Sequence, residues 1–90
     1  MDEKMSKYSY KLIDTKRTEH LVFVKYKQKS KKTFQINIEN KNDFEILGEI
    51  KWYSGWRRYV FIPVNNDVVF DSSCLKDITK YIDDLMEARK

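Results

Sequence analysis

Residues 44–61 read FEILGEIKWYSGWRRYVF, and this stretch decides the fold. Apolar residues or glycine recur at every second position from Phe44 to Trp52, and most of the positions between them are charged. An alternation of period two predicts a β-strand with one buried face. The Ser54-Gly55 dipeptide that follows predicts a tight turn and a returning strand, so the stretch as a whole predicts a β-hairpin.

A two-residue turn also fixes the register of this hairpin. It predicts three cross-strand pairs: Trp52 with Arg57, Ile50 with Tyr59, and Gly48 with Phe61. Tyr59 and Phe61 then face the core, and Gly48 leaves room for the Phe61 ring. The opposite face and the tip of the hairpin form the candidate partner-binding surface, which consists of Lys51, Tyr53, Trp56, Arg57 and Arg58.

The remaining strand patterns lie on both sides of this hairpin. Residues 8–13 alternate over a short length, residues 21–26 are rich in β-branched and aromatic side chains, and residues 34–38 alternate strictly. The three apolar residues of the 34–38 segment are predicted to face the core. After Pro63 ends the hairpin, residues 68–70 are predicted to return as a short edge strand.

The C-terminal segment is typical of an amphipathic helix. Asp71, Ser72 and Ser73 carry side chains that cap helix N-termini. The predicted buried stripe comprises Leu75, Ile78, Ile82 and Leu85, with Tyr81 and Met86 at its margins. The sequence therefore predicts one α+β domain over residues 1–90, a mostly antiparallel five-stranded sheet with one C-terminal helix packed on one face. Residues 1–6 are a candidate for disorder.

The charge of the chain is basic and unevenly distributed. The formal net charge is +4, and the N-terminal third holds most of the excess of lysine over acidic residues. Four lysines in the loop between the second and third predicted strands form a possible anion-binding group, namely Lys27, Lys29, Lys31 and Lys32. The alternative is that these lysines only solvate a hairpin loop, and the sequence leaves both interpretations open.

The composition gives little indication of catalysis or cofactor binding. One histidine, His20, and one cysteine, Cys74, cannot make a zinc site or a familiar nucleophile–base pair, and the two glycines lie too far apart for a phosphate loop. We therefore expect no enzyme activity, no cofactor and no metal. No apolar run reaches the ~20 residues of a membrane span, and the N-terminus has no signal-peptide pattern, so we expect a cytoplasmic protein without membrane contact.

A motif in the second half of the chain resembles a known family. The pattern KWYSxWRxYxFxP, followed by VFD and CLxDI, is similar to that of small uncharacterised phage and prophage proteins of Gram-positive bacteria. The resemblance covers about residues 46–85 and supplies no activity. It implies a phage context, and hence the cytoplasm of an infected or lysogenic host. In that setting small non-enzymatic proteins often block host defences such as CRISPR nucleases or assist phage DNA metabolism.

Three functional hypotheses follow. The first is an anti-defence inhibitor of the anti-CRISPR type that binds a host defence protein, with Tyr53, Trp56 and Arg58 as anchors. The second is a single-stranded nucleic-acid accessory protein, in which Trp52 or Trp56 stacks on bases while the lysines and arginines contact phosphates. The third is that the aromatic residues serve folding alone and the domain forms a homo-oligomer.

Overall fold

The computed structural model describes residues 10–89, and over this range the predicted α+β architecture is confirmed. The elements are β1 (Tyr10–Arg17), β2 (Leu21–Gln28), β3 (Phe34–Asn40), β4 (Ile46–Tyr53), β5 (Arg58–Pro63) and one helix, α1 (Ser72–Ala88). The prediction of disorder for residues 1–6 lies outside the described residues, as does the start of the first predicted strand.

The five strands form one antiparallel sheet in the order β1-β2-β3-β4-β5. Each strand pairs with its neighbour in the chain, so only short turns are needed between them. At the centre of the sheet Ile36 of β3 pairs with Ile50 of β4, and both side chains are fully buried. Ile38 is fully buried and Phe34 packs against the core, which confirms the predicted inner face of β3.

Helix α1 covers one face of the sheet with a stripe that differs from the predicted one. Tyr81 is buried and its ring stacks on Phe23 of β2, with centroids 4.6 Å apart and planes inclined by 7°. Leu75, predicted to be buried, is 47% exposed, while its neighbour Cys74 packs against the core. The stripe therefore runs through positions 74, 78, 81 and 85, and Leu75 lies about 100° away from it around the helix.

Two predicted strand segments adopt other structures. Phe44 belongs to the turn before β4, where it has a φ of 61° and is 59% exposed. The side chains of Asn40 and Asp43 accept hydrogen bonds from backbone N–H groups two residues further on, and these local turns delay the start of β4 to Ile46.

The segment 68–70 forms no strand. Val69 in this segment is 88% exposed, whereas the Phe70 ring contacts the Phe61 ring edge-on at 5.2 Å. This ring contact, together with the packing of Phe70 on the core, ties the end of the connection to the sheet just before α1 begins. The side chain of Asp71 then caps the helix by accepting a hydrogen bond of 2.9 Å from the backbone N–H of Cys74.

Candidate functional site

The turn between β4 and β5 is longer than predicted. Tyr53 pairs with Arg58, so residues 54–57 form a four-residue connection and the predicted two-residue turn is wrong. The Tyr53 carbonyl accepts hydrogen bonds from the backbone N–H groups of Trp56 and Arg57, at 3.2 and 2.9 Å. Arg57 takes the left-handed conformation, with a φ of 56°.

The corrected register differs from the predicted one by two residues. Trp52 pairs with Tyr59, Ile50 with Phe61 and Gly48 with Pro63. A shift of two preserves the faces of a strand, so Tyr59 and Phe61 still lie on the core side. A Cβ atom built on Gly48 would lie 2.7 Å from the Phe61 ring, which confirms that Gly48 makes room for it.

Two aromatic side chains stand exposed on this turn. Trp56 is 68% exposed and contacts the half-exposed Tyr53 ring edge-on, with centroids 5.2 Å apart. Tyr53 also lies directly against Gly55, where a Cβ would come within 3.0 Å of the ring. Contacts within the turn therefore help to hold the pair in place. We call the four residues Tyr53, Trp56, Arg57 and Arg58 the aromatic tip.

Trp52, by contrast, belongs to the fold. Its half-buried ring contacts Tyr59 edge-on at 5.3 Å, and the guanidinium of Arg89 lies 4.1 Å from its centroid. The Tyr59 hydroxyl in turn accepts a hydrogen bond of 3.1 Å from the backbone N–H of Phe34. Trp56 is therefore the better placed of the two tryptophans to stack on a ligand.

Three of the predicted anion-binding lysines lie in the turn between β2 and β3, and the fourth, Lys27, lies near the end of β2. Lys29, Lys31 and Lys32 are exposed, and the Lys27 ammonium donates a hydrogen bond to the carbonyl of Lys31. Lys27 thus has a structural role in holding the turn closed. We call these four lysines the lysine loop.

The lysine loop and the aromatic tip lie at the same end of the sheet. Strands β2 and β4 run in the same direction because each is antiparallel to β3 between them. The turns that follow these two strands therefore leave the sheet at one end. A cavity of about 210 Å³ at this end is lined by Lys31 from the first turn and by Lys51 and Trp52 from β4.

This end of the molecule carries a concentrated positive charge. Residues 27–33 contain four lysines, residues 51–58 contain three basic residues, and neither segment contains an aspartate or glutamate. We call this group the basic end, comprising Lys27, Lys29, Lys31, Lys32, Lys51, Arg57 and Arg58. Sequence reasoning identified its two halves but missed their convergence, and it also missed Arg89, which α1 brings over Trp52.

The sheet face that α1 leaves uncovered is mainly polar near the basic end. The Gln35 amide donates hydrogen bonds to the side chains of Asn37 and Glu49, and the rings of Tyr10 and Tyr26 meet edge-on at 6.3 Å. These five side chains line one shallow depression together with Lys51. The face presents hydrogen-bonding groups and two aromatic edges beside the positive charge.

Two titratable groups near the start of α1, Cys74 and Asp71, have pKa values that are shifted by contacts within the fold. Burial raises the pKa of the Cys74 thiol, and the Asp71 carboxylate beside it raises that pKa further. The backbone N–H of Cys74 and the Ser73 hydroxyl hold the pKa of Asp71 below its usual value. Cys74 is thus a poor nucleophile at neutral pH. Within residues 10–89, no three histidine, cysteine, aspartate or glutamate side chains are grouped so as to hold a metal ion.

Comparisons with known proteins give one relative. No protein-family model matches the chain, and no solved structure matches it. The chain is similar to the "Uncharacterized 9.3 kDa protein" of Acholeplasma phage L2, with 47% identity over 78 residues that cover 87% of this chain and 99% of that protein. An alignment of this length extends beyond residues 46–85. Across the described residues, no helix is both long and apolar enough to cross a membrane.

Proposed function

The chain belongs to the same family as this small phage protein, and from that premise we propose that it is a non-catalytic binding protein whose basic end binds single-stranded nucleic acid. The observation that carries the proposal is the convergence of the lysine loop and the aromatic tip at one end of the sheet. Proteins that bind single strands combine a positively charged surface with aromatic side chains on which bases stack.

The exposure of Trp56 favours a single strand over a duplex. A ring that is 68% exposed at a protruding turn can stack on an unpaired base, whereas the bases of a duplex are already stacked on one another. Stacking of this kind contributes about 1–3 kcal/mol per base. The adjacent Arg57 and Arg58 lie within reach of the phosphates that flank such a base.

The charge of the basic end sets the expected salt dependence. Contacts between five to seven of its cations and phosphates release a similar number of counterions. The logarithm of the affinity should then fall with the logarithm of salt concentration with a slope of about −3.5 to −5. Such a slope means a loss of roughly 100- to 1,000-fold between about 50 and 200 mM salt.

The test is a titration of intrinsic tryptophan fluorescence with a short single-stranded oligonucleotide at these two salt concentrations. We expect quenching that weakens steeply with salt and that is reduced in Trp56→Ala and in Arg58→Ala. Lys76→Ala is the matched control, since it removes one exposed cation from the first turns of α1, away from the basic end. Equal losses in Arg58→Ala and Lys76→Ala would refute a local site.

A second candidate is an anti-defence inhibitor of the anti-CRISPR type that binds a host defence protein. The preformed contact between Tyr53 and Trp56 favours it, because rigid aromatic anchors flanked by arginine are typical of interface hot spots. Here the protein should bind a purified CRISPR nuclease with fast, salt-dependent association and should show little affinity for free oligonucleotide. Oligonucleotide binding that survives in the absence of any host protein would favour the first candidate instead.

A further inference from the structure

A second cavity lies on the helix side of the sheet, separate from the aromatic tip. It has a volume of about 380 Å³, near the lower end of the ~300–1,000 Å³ that small-molecule sites occupy. Its walls come from four parts of the molecule, namely the β1–β2 pair, the start of β3 with the preceding turn, Tyr59 of β5, and the second half of α1 with Arg89. The charged residues that line it are Asp14, Lys16, Lys25, Lys32, Asp84 and Arg89.

These charges leave an excess of positive charge in the cavity. Asp84 already forms an ion pair with Lys80 at 3.2 Å. Among the described residues, Lys16, Lys25 and Lys32 form no ion pair with a carboxylate, and the Lys25 ammonium lies 4.6 Å from the centroid of the Phe34 ring. Four cations therefore face the cavity against one carboxylate, Asp14, that has no ion-pair partner within residues 10–89.

The cavity also contains a buried hydrogen-bond donor that the fold does not use. Tyr81 is 8% exposed, and its hydroxyl has no hydrogen-bond partner among the described residues. Burial, together with the nearby Asp14 and Tyr59, raises the pKa of Tyr81 to about 12, so the hydroxyl keeps its proton at neutral pH. A ligand that presents an acceptor here would give this hydroxyl the hydrogen-bond partner that the described residues do not supply.

Aromatic walls complete the lining. Phe34, Tyr59 and Tyr81 contribute apolar ring surface next to the cations. A ligand that matches both the polar and the aromatic lining has a dianionic group and a flat ring. The dianionic group would contact the lysines and the tyrosine hydroxyl, and the ring would contact the aromatic side chains. Phosphate monoesters carry about two negative charges at neutral pH.

We propose that this cavity binds a nucleotide with a terminal phosphate monoester, with Lys16, Lys25 and Lys32 around the phosphate. The ligand is either a free nucleoside monophosphate or the 5′-phosphorylated end of a strand, since both present the same chemistry. The cavity shares Lys32 with the basic end, but none of the four residues of the aromatic tip lines it, so binding here can be tested separately from stacking on Trp56.

Isothermal titration calorimetry with AMP, adenosine and inorganic phosphate tests the proposal on the purified protein. We expect AMP to bind at concentrations below about 1 mM and at least tenfold more tightly than either fragment, because the two parts of the ligand use different walls. Absence of AMP binding at about 1 mM, or equal affinity for AMP and either fragment, would overturn the proposal.

Variants connect the binding to this cavity. Lys16 and Lys32 are exposed and can be changed without loss of packing, so the double variant Lys16→Gln, Lys32→Gln should weaken AMP binding about tenfold or more. Tyr81→Phe should weaken it roughly three- to tenfold while the ring stays stacked on Phe23. Lys76→Gln is the control for a change of charge alone, and an equal effect of this control would overturn the assignment.

Two further experiments are needed. One distinguishes a free nucleotide from a strand end, and the other distinguishes this cavity from the aromatic tip. A 5′-phosphorylated oligonucleotide that competes with AMP, where its 5′-hydroxyl form does not, assigns a strand end; competition by neither assigns a free nucleotide. Trp56→Ala should leave AMP binding unchanged, because Trp56 lies outside the cavity. Loss of AMP binding in Trp56→Ala would overturn the proposal of a separate site, whatever the outcome for the aromatic tip.

Discussion

Replacing Arg57 with glycine should stabilise the fold while weakening the candidate site. Arg57 has a φ of 56°, a left-handed conformation that glycine adopts without steric cost and that other L-residues adopt rarely. Backbone strain of this kind clusters at functional sites, and Arg57 lies in the candidate site. The Arg57→Gly variant relieves the backbone strain and removes the guanidinium. Stability should therefore rise while ligand binding weakens, and these opposite changes distinguish the structural role of Arg57 from its binding role.

The expected change in the free energy of unfolding is the difference between two opposing contributions. Relief of the left-handed conformation contributes about 1–2 kcal/mol to the free energy of unfolding. The greater freedom of glycine in the unfolded chain offsets about 0.4–1 kcal/mol of this gain. The net stabilisation is then roughly 0.5–1 kcal/mol, which for a domain of this size raises the melting temperature by about 2–8 °C.

The assay is thermal and urea unfolding followed by circular dichroism, with Arg58→Gly as the matched control. Arg58 begins β5 and pairs with Tyr53, so glycine there should destabilise the strand by about 0.5–1 kcal/mol while removing the same charge. Both variants should lower the salt dependence of oligonucleotide binding by about one phosphate contact. A destabilised Arg57→Gly variant, comparable to Arg58→Gly, would refute the reasoning on backbone strain.

Three further outcomes test the packing. Gly48→Ala should destabilise the fold by roughly 1–3 kcal/mol in urea unfolding, since its Cβ would lie 2.7 Å from the carbonyl oxygen of Ile62, a backbone atom that cannot move aside cheaply. Trp52→Ala should cost roughly 3 kcal/mol or more, whereas Trp56→Ala should leave the melting temperature nearly unchanged; equal losses would contradict their different burial. The raised pKa of Tyr81 predicts stability that is complete below pH 10 and falls as pH rises towards 12, by roughly 2–3 kcal/mol. Tyr81→Phe should remove this part of the alkaline loss, and an unchanged profile in that variant would argue against the assignment.

The strands and the helix were predictable because their apolar periodicity matches the faces that the sheet and α1 bury. The inner positions of β3, Ile36 and Ile38, and the buried Ile78 and Leu85 of α1 follow directly from period two and period 3.6. Leu75 misled the prediction because hydrophobicity ranks it above Cys74. The helix positions that face the sheet are set by the packing geometry, however, and the smaller Cys74 occupies one of these positions.

The turn of the hairpin was not predictable from its residue types. Ser-Gly is a strong signal for a two-residue turn, yet Gly55 does not take a positive φ and Arg57 does. The contact of Tyr53 with both Gly55 and Trp56 exists only in the longer turn as observed, and such side-chain packing is invisible to a propensity argument. The residues of the candidate contact surface in β4 and β5 nevertheless keep their predicted faces, because a register change of two leaves each strand face unchanged.

The convergence of the two basic turns can be predicted from the sequence once the order of the strands is known. In an antiparallel meander alternate turns leave the sheet at the same end, so the two basic turns must lie together and the remaining connections must lie opposite. Those opposite connections, residues 18–20, 41–45 and 64–71, contain five carboxylates and a single lysine. The connections at the two ends of the sheet thus differ in the sign of their charge. Long-range fields orient charged proteins before contact, so for the proposed nucleic-acid ligand we expect approach by the basic end, and we expect added salt to slow that encounter by screening the field.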